Sequence, residues 1–115
     1  MPGPGGRAEE PRKRVGRLEL DRVSRTVDCD GSSVSLTTRE CQLLDYFMSN
    51  PDQPLTRSML ADRVWGYQFD TGTNVVDVYV NYVRKKLAKI GVDPVRTLRG
   101  VGYVFATDLA SEESP

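Results

Sequence analysis

The 115-residue sequence predicts an α+β domain in which a small antiparallel sheet comes first, three helices follow and a β-hairpin closes the chain. Three observations carry that prediction. Short apolar runs between Val15 and Leu36 alternate at the period of strands, with the turn dipeptide Asp30-Gly31 between the last two. Apolar residues then recur at helical intervals in three segments between Thr38 and Ile90, each bounded by proline, glycine or a capping residue. Finally, Val95–Leu98 and Tyr103–Phe105 flank the glycine-rich tip Arg99-Gly100-Val101-Gly102.

Residues 1–14 hold Pro2, Gly3, Pro4, Gly5, Gly6 and Pro11 with charges and almost nothing apolar, so they offer no burial to offset ordering entropy and read as a flexible arm or linker. Arg12, Lys13 and Arg14 end that arm. A basic extension lying along a nucleic-acid strand is one reading of the triplet, and three charges alone favour the plainer one, a solvated linker edge. Val15, Leu18 and Leu20, then Val23, Val27 and Cys29, then Val34 and Leu36 make a small antiparallel meander.

Thr37 precedes Glu40 at the capping-box spacing, and Cys41, Leu44, Phe47 and Met48 follow on one face, which sets a first helix at about 38–49. Asn50-Pro51-Asp52-Gln53-Pro54 stops it. Thr56 caps a second, short helix with Met59, Leu60 and Val64 on its buried side, Trp65 closing it and Gly66 at its end. After a loop at 67–72, a third helix at about 73–90 is stopped by Gly91 and Pro94. The last ten residues, 106–115, carry Asp108, Glu112 and Glu113 without periodicity and read as a frayed, disordered acidic tail. The folded domain is therefore 15–105, enough chain to bury a core without metal or disulfides.

Composition narrows the chemistry. The chain has no histidine, which excludes imidazole acid–base catalysis, a Ser-His-Asp arrangement and imidazole zinc ligation. Its two cysteines, Cys29 and Cys41, cannot build a thiolate cage alone and suit a reducing, cytoplasmic setting. Cys41 falls on the inward side of the first helix, with Cys29 expected to be the more exposed of the two. No apolar stretch suggests a signal peptide or a membrane span. Asp77 suits the helix dipole and a nearby arginine better than catalysis, and Gly100 and Gly102 open no helix, so they are turn glycines rather than a phosphate cradle. Neither an enzyme nor a cofactor or metal site is expected.

Lys plus Arg and Asp plus Glu both number 16, and the neutral total hides an uneven distribution. Residues 1–71 hold ten basic and eleven acidic side chains, whereas residues 72–105 hold six basic and two acidic. Basicity concentrated in the last third of the domain points to a polyanion. At 100° per residue, Val76, Val80, Val83 and Leu87 fall within about 60° of one another and define a buried stripe on the third helix. Opposite lie Asn74, Val78, Asn81, Tyr82 and Lys85. This mixture of amides, an exposed aliphatic, an aromatic hydroxyl and a cation suits a DNA groove: asparagine pairs with an adenine edge, a methyl-bearing side chain meets the thymine methyl, and lysine or tyrosine reaches phosphate or base acceptors. Arg84, Lys86 and Lys89 flank that face and are placed to track the backbone. A helix for the major groove beside a hairpin carrying Arg99 for the minor groove is a winged helix-turn-helix layout.

These residues carry a resemblance. TNVVDVYVNYVRKKL at 73–87 followed by RTLRGVGYVF at 96–105 resembles the OmpR/PhoB-type winged-helix DNA-binding domain of bacterial two-component response regulators. LTTRECQLL at 36–44 and LTRSMLADRVWG at 55–66 are similar to the first and second helices of that family, so the resemblance spans about residues 16–105. Within the third helix there is also a weaker similarity to the family's heavy-metal-responsive branch.

The resemblance implies sequence-specific binding of double-stranded DNA for transcriptional regulation, with helix 73–89 in the major groove and the wing, 95–105, on the minor groove. Asn74, Val75, Val78, Tyr79, Asn81, Tyr82 and Arg84 match the family's contact positions on that helix, and Thr97, Arg99 and Tyr103 match its wing positions. Some members carry Arg or His where this chain has Asn74, Tyr79 and Tyr82, so base preference does not transfer. The loop containing Tyr67, Gln68, Phe69 and Asp70 resembles the segment that touches RNA polymerase. Packing is the plainer role for Trp65, while Tyr67 and Phe69 are open between packing and docking. The family further implies a phosphoacceptor receiver domain, for which these residues provide no acidic pocket, and head-to-tail binding on direct repeats by a domain that is monomeric off DNA. The competing reading is a winged-helix module that contacts RNA polymerase or another regulator without specific DNA readout.

Overall fold

The computed structural model describes residues 11–66 and 74–108. Strands β1 (Arg12–Val15), β2 (Leu18–Asp21), β3 (Thr26–Cys29) and β4 (Ser32–Ser35) form an antiparallel sheet in sequence order. Leu18 faces Cys29 and Leu20 faces Val27 across β2 and β3, and all four side chains are buried on one side of the sheet. Asp30 (φ 52°) and Gly31 (φ 92°) make the tight turn into β4 in the left-handed region that such two-residue turns require.

Two expectations for this segment need correction. Strand β1 begins at Arg12, so the basic triplet is not linker: it pairs with β2, with Arg12 opposite Asp21 and Arg14 opposite Glu19. Lys13 reaches helix one, its ammonium 2.7 Å from Asp45 and donating to Ser49 Oγ. The sheet edge supplies backbone partners and the helix supplies a counter-charge, neither of which local composition reveals. Val23 is not in a strand. It is 76% exposed in the turn between β2 and β3, where Asp21 Oδ1 accepts from the N–H groups of Val23 (3.0 Å) and Ser24 (3.2 Å).

Helix α1 (Thr38–Ser49) starts at the expected capping box, with Glu40 N donating to Thr37 Oγ1 and Thr37 N donating to Glu40 Oε1. Cys41, Leu44, Phe47 and Met48 are buried, as is Leu43. Cys29 and Cys41 are both fully inside the core, so Cys29 is not the more exposed thiol; burial first of all pushes both thiols up, which makes them poor nucleophiles.

A two-residue strand, β5 (Leu55–Thr56), leads into α2 (Arg57–Trp65), where Thr56 Oγ1 accepts from Met59 N at 3.1 Å. Leu60 and Val64 form the buried stripe of α2 and Gly66 ends it at φ 96°. Met59, one residue and about 100° round the helix from Leu60, is exposed rather than buried. Helix α3 (Asn74–Lys89) is followed by β6 (Val95–Leu98) and β7 (Gly102–Phe105), and the second sheet has the order β5-β7-β6. The three helices pack on one another, α1 also touches β1 and β7, and α3 touches β4. One core, including Leu18, Leu44, Phe47, Leu60, Val80 and Phe105, thus joins both sheets to all three helices.

Candidate nucleic-acid interface

The candidate interface begins with the division of α3. Val76, Val80, Val83 and Leu87 are buried, while Asn74, Val78, Asn81, Tyr82 and Lys85 are all exposed. Val78 and Tyr82, at 43% and 45% exposure, stand among polar groups on a face that a merely solvated helix would leave wholly polar. Val75 and Tyr79 occupy the boundary, half-buried and packed against the core. Arg84 is also half-buried; its Nη1 donates to Thr97 Oγ1 at 3.5 Å and its Nε lies 3.6 Å from the Asp93 carboxylate, so it bridges the helix to the wing.

On the wing, Arg96, Thr97, Arg99 and Val101 are exposed and Gly100 turns the tip at φ 77°. Tyr103 does not join them. It is 6% exposed, its hydroxyl donates to Asp77 Oδ1 at 2.5 Å, and the Arg57 guanidinium sits 5.4 Å from its ring centroid. The reason is topological: β7 is the central strand, with Leu55 and Thr97 on either side of Tyr103, so its ring is covered where the edge of a free hairpin would be open. Burial and then the Asp77 carboxylate raise the Tyr103 phenol above its ordinary pKa. Asp77 finds the arginine expected of it, accepting from Arg57 Nε at 2.9 Å. Arg57 is a residue that sequence reasoning missed; a cation just inside the second helix was the only hint.

Lys86 likewise leaves the set of backbone-tracking cations. Its ammonium donates to Glu40 Oε1 at 2.6 Å and to the Ser35 carbonyl at 3.0 Å, tying α3 to α1 and to the end of β4. Glu40 is 4% exposed; burial pushes its carboxyl up, but the hydrogen bonds from Lys86 and Thr37, together with the Lys86 charge, hold it below its ordinary pKa. Lys85 and Lys89 remain exposed. Tyr67, Gln68, Phe69 and Asp70 lie outside the described residues. Trp65, just before them, is half-buried against the core, as the packing role requires. Among the described residues no helix is long and apolar enough to cross a membrane.

Three helices between two small sheets, with one helix face open beside a basic hairpin tip, define a winged-helix domain. The chain matches the family model described as "Transcriptional regulatory protein, C terminal" over residues 31–105. It is 44% identical over 92 residues to the transcriptional regulatory protein TrcR of Mycobacterium tuberculosis, covering 80% of this chain and 36% of that protein. It is 42% identical over 104 residues to the response regulator MprA of Mycobacterium tuberculosis, covering 89% of this chain and 45% of that protein.

Similar solved structures include the DNA-binding domain of the response regulator AdeR in complex with an intercistronic region (TM-score 0.74, 26% identity, 83% of this chain and 99% of that one). Another is the Klebsiella pneumoniae RstA DNA-binding domain in complex with the RstA box (TM-score 0.70, 28% identity, 84% of this chain and 97% of that one). The chain belongs to the OmpR/PhoB-type family of winged-helix DNA-binding domains of transcriptional regulators, and is not an enzyme. It spans less than half the length of the two curated relatives described above.

Proposed function

We propose that this chain is the effector part of a two-component response regulator, acting in the cytoplasm by reading a specific double-stranded DNA sequence. Asn74 and Asn81 read base edges through their amides, Val78 meets a thymine methyl, and Tyr82 contributes ring and hydroxyl. Lys85, Arg84 and Arg99 meet phosphate, with Thr97 alongside on the wing. Val75 and Tyr79 support the contact face from its boundary, and Tyr103 supports the wing from within.

The observation that carries the reading is the exposure of all five mixed-face residues of α3 together with that of Thr97 and Arg99 on the adjoining wing. Phosphorylation then acts through a receiver domain elsewhere in the regulator, whose dimerisation raises the effective concentration of two such domains over adjacent direct repeats. Contact of Tyr67, Gln68, Phe69 and Asp70 with RNA polymerase belongs to the same proposal.

Selection of binders from a pool of random duplexes, followed by salt titration, tests it. A repeated motif and a steep fall of affinity with ionic strength are expected. Failure to enrich any sequence, with weak salt dependence of binding to polymerase instead, would establish the protein-interaction alternative.

A further inference from the structure

Three aromatic side chains form a continuous ladder from the core to the exposed face of α3. Trp65, at the end of α2, meets Tyr79 edge to face, with ring centroids 5.2 Å apart and planes inclined at 71°. Tyr79 in turn meets Tyr82 at 5.3 Å and 69°. The foot of the ladder is held from α1: the Arg39 guanidinium lies 5.9 Å from the Trp65 ring centroid, and Arg39 Nη1 donates to the Val64 carbonyl at 2.6 Å. Burial falls along the series, from half-buried Trp65 and Tyr79, both packed on the core, to Tyr82 at 45% exposure.

We infer that Tyr79 is a positioning residue, and that through it the Arg39–Trp65 platform sets the side-chain direction of Tyr82 and so the base preference of the domain. The inference rests on the reading of α3 as the DNA-reading helix. Residues three apart on a helix are neighbours, and the perpendicular geometry of both pairs places the positive edge of one ring on the negative face of the next. An exposed tyrosine without such a neighbour samples several rotamers and loses that freedom on binding. With the ladder in place Tyr82 is presented in one direction before DNA arrives. Tyr79 therefore acts on sequence choice without a base of its own.

The test is a double-mutant cycle on the 115-residue chain, using a duplex that the wild-type chain selects from a random pool and a scrambled duplex of equal length. Tyr79→Leu is expected to cut the preference for the selected over the scrambled duplex, read as the ratio of the two affinities, by roughly two- to tenfold, the range set by one aromatic pair. Tyr79→Phe, which keeps the ring, retains the wild-type preference. In a Tyr82→Ala background, Tyr79→Leu causes no further loss. If Tyr79→Leu does not fold, Tyr79→Ile takes its place in the cycle.

Additive losses at the two positions would overturn the inference, as would a loss in Tyr79→Phe equal to that in Tyr79→Leu, which would make the Tyr79 hydroxyl a direct contact. In either case DNA reading by α3 stands. A wild-type chain that selects no duplex ends that reading and this inference together.

Discussion

Tyr103 Oη donates to Asp77 Oδ1 at 2.5 Å, tying the central strand of the wing sheet to the first turn of α3. Arg57 Nε donates to the same oxygen from the start of α2. Strand β7, helix α3 and helix α2 thus share one acceptor. Tyr103→Phe is expected to lower stability by about 1.5–3 kcal/mol in a urea titration, the usual net worth of a hydrogen bond to a charged group. The phenol's pKa is raised in the fold, so its contribution is complete below the ordinary value of 10.0 and is lost as pH rises through the raised value. Alkaline unfolding curves of the two proteins should accordingly converge in that window.

Lys86→Met strands the Glu40 carboxylate in a site 4% exposed. A loss of about 2–3 kcal/mol at neutral pH is expected, less than for a fully buried pair because Lys86 retains some solvent. Since the folded pKa of Glu40 lies below the ordinary 4.5, its stabilisation is complete above that value and disappears as pH falls through the lowered one. Glu40→Gln should flatten this acid limb, and the Lys86→Met deficit should shrink over the same range.

Two glycines of the wing should respond very differently to alanine. A Cβ on Gly102 would stand 2.1 Å from the Leu55 carbonyl oxygen, at φ 155°, so Gly102→Ala must push β5 away from β7. At Gly100 the same atom meets nothing within 4 Å, leaving only the cost of φ 77°. Gly100→Ala is expected to cost about 1 kcal/mol and Gly102→Ala more than about 3 kcal/mol. Thermal midpoints of the two variants measure the difference, and equal midpoints would contradict it.

Lys85→Ala and Arg99→Ala should each reduce the slope of log affinity against log salt by about 1 while weakening selected and random duplexes alike. Lys86→Met, tested beside them, should leave that slope at the wild-type value, because its ammonium is spent on Glu40 and the Ser35 carbonyl. Fluorescence anisotropy across a salt series checks all three.

Local chemistry along the chain encodes part of this fold directly. Thr37, Glu40 and the Asn50-Pro51 stop define α1, Asp30-Gly31 defines a turn, and the 3.6-residue period separates the two sides of α3. The order of elements and the composition of the exposed face follow from the same signals. Packing between elements settles which side chains on or near that face are free to act. Lys86 is taken by Glu40, 46 residues away, and Tyr103 by Asp77, 26 residues away. Strand β5 escaped notice because two residues carry no period, and only its pairing with β7 makes Tyr103 central and buried. Backbone periodicity and caps act within a turn or two of the chain, whereas a charge or a hydroxyl is claimed by whatever the fold brings within hydrogen-bonding reach.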